Sequence, residues 1–488
     1  MGIFLGIDLG ASALKACLIE TDEGAPVRNI AQARAGYPTV HPRPDQSEQN
    51  PADWLAALHT ALDALRQAER DAYDAIAAIS FSGGAHIGVL CDAAATPLRP
   101  AMMWSDQRAR AEAAILAEAG QVEDLAGNAP NATWTLPQLI WLGAHEPHII
   151  KATQKLYFAK DWLAAQLIGA SDQDRHVSDK TEAVGSLMAG RDGQWHDALI
   201  ALSRLAPSAM PRLVDMGAAI GAVTATASQA FGLPLVPVYQ GAIDTSMEWL
   251  CAAPLTQTTA SLKLASAGVV SFTTADEKRV SPVSYYPHIL DGLHYHAAGM
   301  SDCMGAIDFV RQNFTPKLSA TDFEAAAAEA PTSAEGLLFY PYLSGARAPF
   351  WDAQLTAEWR GLTRGHNHNA IARAAYEGVG HVLTAIWHDM TDRLGHKPDA
   401  LHILGGGGKS GFFCQMLADM LAVPIKRGAE TDCAYATALF AAAHHLGQLP
   451  QDMAHAAYCA QGEFSPDKSN SAVYASSHQS FMARHKRP

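Results

Sequence analysis

No apolar run in this 488-residue chain approaches the length needed to span a bilayer, so nothing in it points to a transmembrane segment. Basic charge is scarce as well. The net charge of -14 argues against a nucleic-acid or anionic-membrane partner, because an extended acidic surface cannot neutralise rows of phosphates. Seven cysteines (Cys17, Cys91, Cys251, Cys303, Cys414, Cys433 and Cys459) are scattered, odd in number and never in C-x-x-C spacing. They signal neither a disulfide framework nor a zinc site. The 21 histidines show no H-E-x-x-H pattern. The opening Met-Gly-Ile-Phe-Leu-Gly-Ile-Asp has no basic n-region, and Gly6 stands where a myristoylation motif places Ser or Thr. A reducing cytoplasm is the expected setting.

What the chain does have is length and apolar content. With 49% hydrophobic residues over 488 positions, two or more buried domains are expected, the first boundary falling before Leu235. Residues 3–20 read as a hairpin, IFLGID and LKACLIE joined by LGAS. Asn50-Pro51 starts a helix to Ala68 with Trp54, Leu55, Leu58, Leu62 and Leu65 on one face. Ile76 to Phe81 is a strand that empties into Ser82-Gly83-Gly84-Ala85-His86. Residues 121–230 are mainly helical and carry few chemical signals. The polar stretch from Cys459 is expected to be peripheral.

The organising stretch is Leu235 to Val270. A short apolar strand runs through Gly241 to Asp244 and Thr245, and a second, Ser261 to Leu264, enters the turn Ala265-Ser266-Ala267-Gly268. Backbone N–H groups of such a turn can close around a phosphate. The same strand-to-turn pattern occurs at Ile7 to Ser12, where Asp8 has two readings. It is a turn carboxylate, or it acts through Mg2+ while Gly10, Ala11 and Ser12 face a phosphate and Lys15 adds charge. His86 alone reads as a structural histidine, with a ligand role as the alternative. Trp104 beside Asp106 and Arg108 suits a polyhydroxyl ligand, although a helix cap also explains Asp106. Leu401 to Leu404 leads into Gly405 to Ser410 and a helix, a close-backbone-approach signal. It is not a Walker P-loop, since Gly405 and Lys409 are one residue too close, and no ribose carboxylate follows as in a dinucleotide fold.

In this order the motifs resemble the FGGY carbohydrate kinase family over nearly the whole chain, and its xylulokinase members most of all. The resemblance rests on Ile7-Asp8-Leu9-Gly10-Ala11-Ser12, on Ser47-Glu48-Gln49-Asn50-Pro51 with Trp54, and on Trp104, Asp106 and Arg108. It continues through Gly241-Ala242-Ile243-Asp244, Pro341 to Pro349, and Gly405 to Ser410 with Gln415, Ala418 and Asp419. It implies an α/β fold of two actin-like, ribonuclease-H-like ATPase domains facing across a cleft, residues 1–234 on the sugar side and 235–488 on the nucleotide side. It implies ATP and Mg2+ as cofactors, a small sugar as partner, a homodimer, and phosphorylation of D-xylulose to D-xylulose 5-phosphate. Asp244 would be the general base and would share Mg2+ with Asp8. Ala85, His86, Trp104, Asp106, Asp244 and Thr245 would meet the sugar. Gly10, Ala11, Ser12, Lys15, Ser266, Gly268, Gly345, Gly406, Gly407 and Lys409 would border the nucleotide.

The chain departs from the family pattern at Ala11, where Thr is usual, and in the second turn, which reads Ala-Ser-Ala-Gly. The xylulokinase Gln-Met-His-Gly is Gly84-Ala85-His86-Ile87, and Thr245 replaces an Asn. The acceptor alternatives are therefore another ketose, a polyol or a sugar acid, and the alternative class is a nucleotide-binding regulatory relative with weak turnover. The loop Ala348 to Asp352 resembles glycerol kinases, yet the Arg-Glu pair of those enzymes falls on Ala85 and His86.

Overall fold

The hairpin expected from residues 3–20 forms as strands Gly2–Leu9 and Ala13–Thr21, because each strand is an almost unbroken run of buried apolar residues flanking a small-residue turn. The computed structural model describes residues 1–169, 175–252, 255–256, 258–352, 354–429 and 432–486. Two compact units emerge.

The first unit comprises residues 1–255, 285–294 and 432–458. Its main sheet has six strands, and Gly2–Leu9 lies inside it, antiparallel to Ala13–Thr21 and parallel to Ile76–Gly83. Pro237–Tyr239 pairs in parallel with Ile76–Gly83 on the far side. The expected division at Leu235 thus runs elsewhere in the structure, because the Pro237–Tyr239 strand and the Cys433–Leu446 helix both pack within this unit. The Pro51–Ala68 helix begins at Asn50, whose side chain accepts from the Ala52 N–H, with Pro51 in the first turn. It buries Trp54, Leu58, Leu62 and Leu65. Across the sheet, helix Cys433–Leu446 lies so close to Gly2–Leu9 that a Cβ at Gly6 would overlap the Ala434 carbonyl.

The second unit comprises residues 256–284, 295–431 and 459–488. Ala260–Leu264 is central to its sheet, antiparallel to Gly268–Thr274 and parallel to Leu401–Leu404, which pairs in turn with Ile425–Gly428. The His368–Leu394 helix supplies much of the core through Tyr376, Val379, Leu383, Ile386 and Trp387. The stretch after Cys459 is a correction to the peripheral tail expected above. Ala460–Phe464 extends the sheet beside Ile425–Gly428, and helix Lys468–Met482 buries Tyr474 and Phe481. Polar composition hid this, because only one narrow face of that helix is apolar. Among the described residues, no helix is long and apolar enough to cross a membrane.

Candidate functional site

Register alone builds an acidic centre in the first unit. Asp8 stands opposite Lys15 on one neighbouring strand and opposite Ser82 on the other, so the three side chains share one face of the sheet. The Ser82 hydroxyl donates to Asp8 Oδ1 at 3.0 Å. Lys15 Nζ lies 4.0 Å from Asp8 Oδ2 and 2.9 Å from Asp432 Oδ2. Burial acts to lower the Lys15 pKa, but Asp8 and Asp432 outweigh it and the ammonium is held charged. Asp432 also caps the Cys433–Leu446 helix by accepting from the Ala434 N–H at 2.9 Å. That helix sets Thr437 Oγ1 2.8 Å and Cys433 Sγ 3.3 Å from Ser82 Oγ.

Asp244 joins the same centre through the backbone. Beyond Tyr239 the chain keeps running beside strand Ile76–Gly83, with Ile243 bridged to Gly83. Gly241 is required there, since a Cβ would overlap the Phe81 carbonyl. Asp244 then opens a short helix, its Oδ1 accepting from the Thr245 N–H at 2.7 Å, and its carbonyl accepts from the Cys433 thiol at 3.6 Å. The Cys433 thiol is pushed well up by burial and by Asp8, Glu248 and Asp244, so it stays protonated. The Asp244 backbone and, through Ser82, the Asp8 side chain therefore both connect to one buried thiol.

The first glycine turn is anchored through its carbonyls. The Tyr37 hydroxyl donates to the Gly10 carbonyl, and Gln49 Nε2 donates to the Ala11 carbonyl at 2.8 Å. Ala11 and Ser12 are exposed. Gln49 is fixed in turn by Trp54 Nε1 at 2.8 Å. The Ser47-Glu48-Gln49 motif pairs with Ala101–Met102, and Arg108 Nη2 meets Glu48 Oε1 at 2.8 Å.

Asp106 is fully buried in that junction. Its oxygens accept from the Ser47 N–H at 2.7 Å and from Arg108 Nε and Nη2 at 2.8–3.0 Å. The structure thus gives the expected sugar contact Asp106 a clamping position, its oxygens occupied by the Ser47 N–H and by Arg108 of its own motif.

Gly84, Ala85 and His86 form a turn beside Trp104, whose Cδ1 would lie 3.8 Å from a Cβ at Gly84. His86 takes the left-handed conformation, φ 64°, which is uncommon for a residue with a Cβ. Contacts to its backbone and its ring hold it there. Its N–H donates to Glu182 Oε2 at 3.1 Å, and its carbonyl accepts from Thr135 Oγ1 at 2.9 Å. Its Nε2 lies 2.8 Å from the Tyr286 hydroxyl, and its ring meets Trp134 edge-on at 4.6 Å.

The second unit brings its own two turns together. Ala265 to Ala267 joins strands Ala260–Leu264 and Gly268–Thr274, and Ser266 is exposed. Its carbonyls accept from the start of helix Met304–Phe314, with Cys303 N to Ser266 O at 2.7 Å and Met304 N to Ala265 O at 3.0 Å. A Cβ at Gly268 would lie 3.0 Å from Cys303 Sγ. The four-glycine run bends against this turn. A Cβ at Gly405 would come within 2.8 Å of the Leu264 carbonyl, and one at Gly407 within 2.8 Å of Leu264 Cβ and Met304 Sδ. Gly406 faces open space and Lys409 is exposed. Gly407 is thus demanded by packing, whereas Gly406 leaves room for a ligand. Gly345, φ 78°, sits in a separate loop held by the Ser344 N–H to Asp302 Oδ2 at 2.9 Å.

Two groups of residues escaped the sequence reading. The Asp432, Cys433 and Thr437 set lies nearly the whole chain away from Asp8, and only its capping Asp ahead of a small-residue helix marked it. Lys160, Asp161, Asp179, Thr181 and Glu182 lie in the stretch that read as chemically silent. Four charged residues and a hydroxyl among mostly apolar and small neighbours were the available signal.

A xylulose kinase from Escherichia coli (strain K12) is 32% identical over 426 residues, covering 86% of this chain and 84% of the relative. A solved xyloylose kinase structure from Brucella ovis superposes with a TM-score of 0.89 at 26% identity, covering 99% of this chain and 98% of that one. A xylulose kinase structure from Rhodospirillum rubrum gives 0.87 at 26% identity, covering 99% and 98%. The architecture is that of an ATP-dependent sugar kinase with the actin-like ATPase fold. Residues 3–251 match the N-terminal domain and residues 266–446 the C-terminal domain of the FGGY family of carbohydrate kinases, and the chain belongs to that family.

Proposed function

We propose that this kinase transfers the γ-phosphoryl group of ATP to a hydroxyl of D-xylulose, giving D-xylulose 5-phosphate and ADP. The observation that carries the reading is the placement of Asp244 at the end of the Gly241 run, beside the Asp8, Ser82 and Cys433 row. The acceptor is taken from the relatives, whose names specify xylulose. On this reading the Asp244 carboxylate takes the acceptor proton as the hydroxyl oxygen attacks phosphorus, and ADP leaves. Ala85, His86, Trp104 and Thr245 orient the sugar. In the first unit the Ala11 and Ser12 amides and Lys15 meet phosphate oxygens. In the second unit Ser266, Gly406 and Lys409 border the nucleotide.

The donor set fits a magnesium ion, which takes hard oxygen ligands and binds through one or two carboxylates with several waters. Asp8 and Asp244 would hold it. The ion would supply neutralisation of phosphate charge. The proposed setting is the cytoplasm, and the proposed assembly a homodimer.

The testing experiment is ADP release from Mg-ATP across ketopentoses of both hands, polyols and sugar acids. A strong preference for D-xylulose supports the reading. Preference for another acceptor reassigns the substrate, and silence across the panel with ATP still raising the melting temperature supports a regulatory relative.

A further inference from the structure

Lys160, Asp161, Asp179 and Glu182 are fully or almost fully buried in the first unit, an unusual density of charge for a protein interior. Lys160 Nζ lies 2.6 Å from both Asp161 Oδ1 and Asp179 Oδ2. Gln240 Nε2 donates to the same two carboxylates, at 2.8 and 3.2 Å, and Ser178 Oγ donates to Asp161 Oδ2 at 2.6 Å. The two carboxylates outnumber the one ammonium they share. Burial first, and then Asp161 and Asp179, push the Glu182 carboxyl well above its ordinary range, with Lys160 opposing.

The network ends on two adjacent residues, and each grips a different part of the candidate site. Thr181 Oγ1 donates to Asp179 and accepts from the N–H of Ile243 at 3.1 Å, the residue before Asp244. Glu182 Oε2 accepts from the N–H of His86, the residue in left-handed strain. A non-glycine residue persists there only where its surroundings over-determine it. Gly185, one turn on, leaves the room the His86 ring occupies, since a Cβ there would lie 3.3 Å from His86 Cδ2.

We infer that Thr181 and Glu182 are paired positioning residues for the phosphoryl transfer, Thr181 setting the base Asp244 and Glu182 setting the acceptor contact His86. The buried ion cluster is the rigid mount that fixes both from one helical turn. The inference rests on the acceptor and base reading given above.

Its distinguishing consequence is a split. Glu182→Ala should raise the KM for D-xylulose by at least about tenfold while the KM for ATP stays within about twofold. Thr181→Val should lower kcat by at least about tenfold while the KM for D-xylulose stays within about threefold. Glu182→Gln and Thr181→Ser keep the acceptor oxygens at similar positions, and each should restore most of the lost function. Equal changes in all parameters for both Glu182→Ala and Thr181→Val, or no recovery in the conservative variants, would overturn the inference and leave a merely structural cluster. Crystal structures of Glu182→Ala and Glu182→Gln give a readout independent of turnover. His86 should leave the left-handed region in the first and keep it in the second, and an unmoved His86 in Glu182→Ala would overturn the inference. If the wild-type enzyme ignores D-xylulose, the acceptor reading falls, and these two structures still decide the positioning role.

Discussion

Gln49 Nε2 donates to the carbonyl of Ala11 at 2.8 Å, so a side chain from the entrance of the first long helix holds the first glycine turn. The amides of a phosphate-binding turn are useful only if they are aimed in advance. Gln49→Leu removes this tie and orphans Trp54 Nε1. It should cost about 1–3 kcal/mol of stability and raise the KM for ATP more than that for the sugar. Steady-state kinetics with both substrates varied, beside chemical denaturation, checks this. An unchanged KM for ATP would remove Gln49 from the turn's function.

Gly406 and Gly407 separate ligand space from packing. Gly407→Ala must displace Leu264 or Met304 and should destabilise the protein by about 1–3 kcal/mol. Gly406→Ala meets nothing within 4 Å, so stability should hold within about 0.5 kcal/mol while the KM for ATP rises. Melting curves with and without Mg-ATP distinguish the two. Equal destabilisation by both substitutions would mean that Gly406 serves the fold alone.

Phe481 stacks on Tyr340 at 4.5 Å and is fully buried. Phe481→Ala should cost about 3–5 kcal/mol. Urea denaturation measures it, and a loss under about 1 kcal/mol would restore the peripheral reading of the last helix.

His381 Nε2 meets Ser477 Oγ at 3.1 Å, linking the long helix to the last one. Burial first, and then His478, push its pKa down to about 3, and His478 is pushed down to about 4. Between the ordinary value near 6.5 and these values the unfolded chain binds protons that the folded chain does not. Their stabilising contribution is complete above about pH 6.5 and falls as pH decreases, by up to about 1.4 kcal/mol per pH unit for each group. Stability measured from about pH 7 down to about pH 5 should fall less steeply in His381→Asn than in the wild type. Identical slopes would show that His381 titrates normally in the fold.

Much of this was legible in the sequence. Asn50-Pro51 ahead of an apolar stripe marked the start of the Pro51–Ala68 helix, and short apolar runs ending in glycine turns marked the strands that carry Asp8 and Ser82 and the strand that leads to Asp244. What stayed hidden depends on contacts between distant segments. Nothing local to Asp8 announces that Cys433 and Thr437 will lie above Ser82, because only sheet register and the Gly6 helix contact bring them there. Asp106 read as a ligand contact because Trp-x-Asp-x-Arg has the right chemistry. Its burial follows from the Ser47 N–H and from Arg108, which also reaches Glu48, and spacing does not reveal this. Lys160 and Asp161 lie in a stretch that carries few chemical signals, and the burial of their helix on every side comes from packing that the local sequence does not reveal.

The account turns on Asp244 as the base, and one variant addresses it. Asp244→Asn keeps the shape and the acceptor oxygen for the Thr245 N–H but abolishes proton uptake. With D-xylulose and Mg-ATP, sugar-dependent ADP release should fall by roughly 10²–10⁴-fold, while the melting temperature without ligand and its rise with ATP stay close to wild type. Turnover within about twofold of wild type would contradict the account, because a proton acceptor cannot be lost at so small a cost.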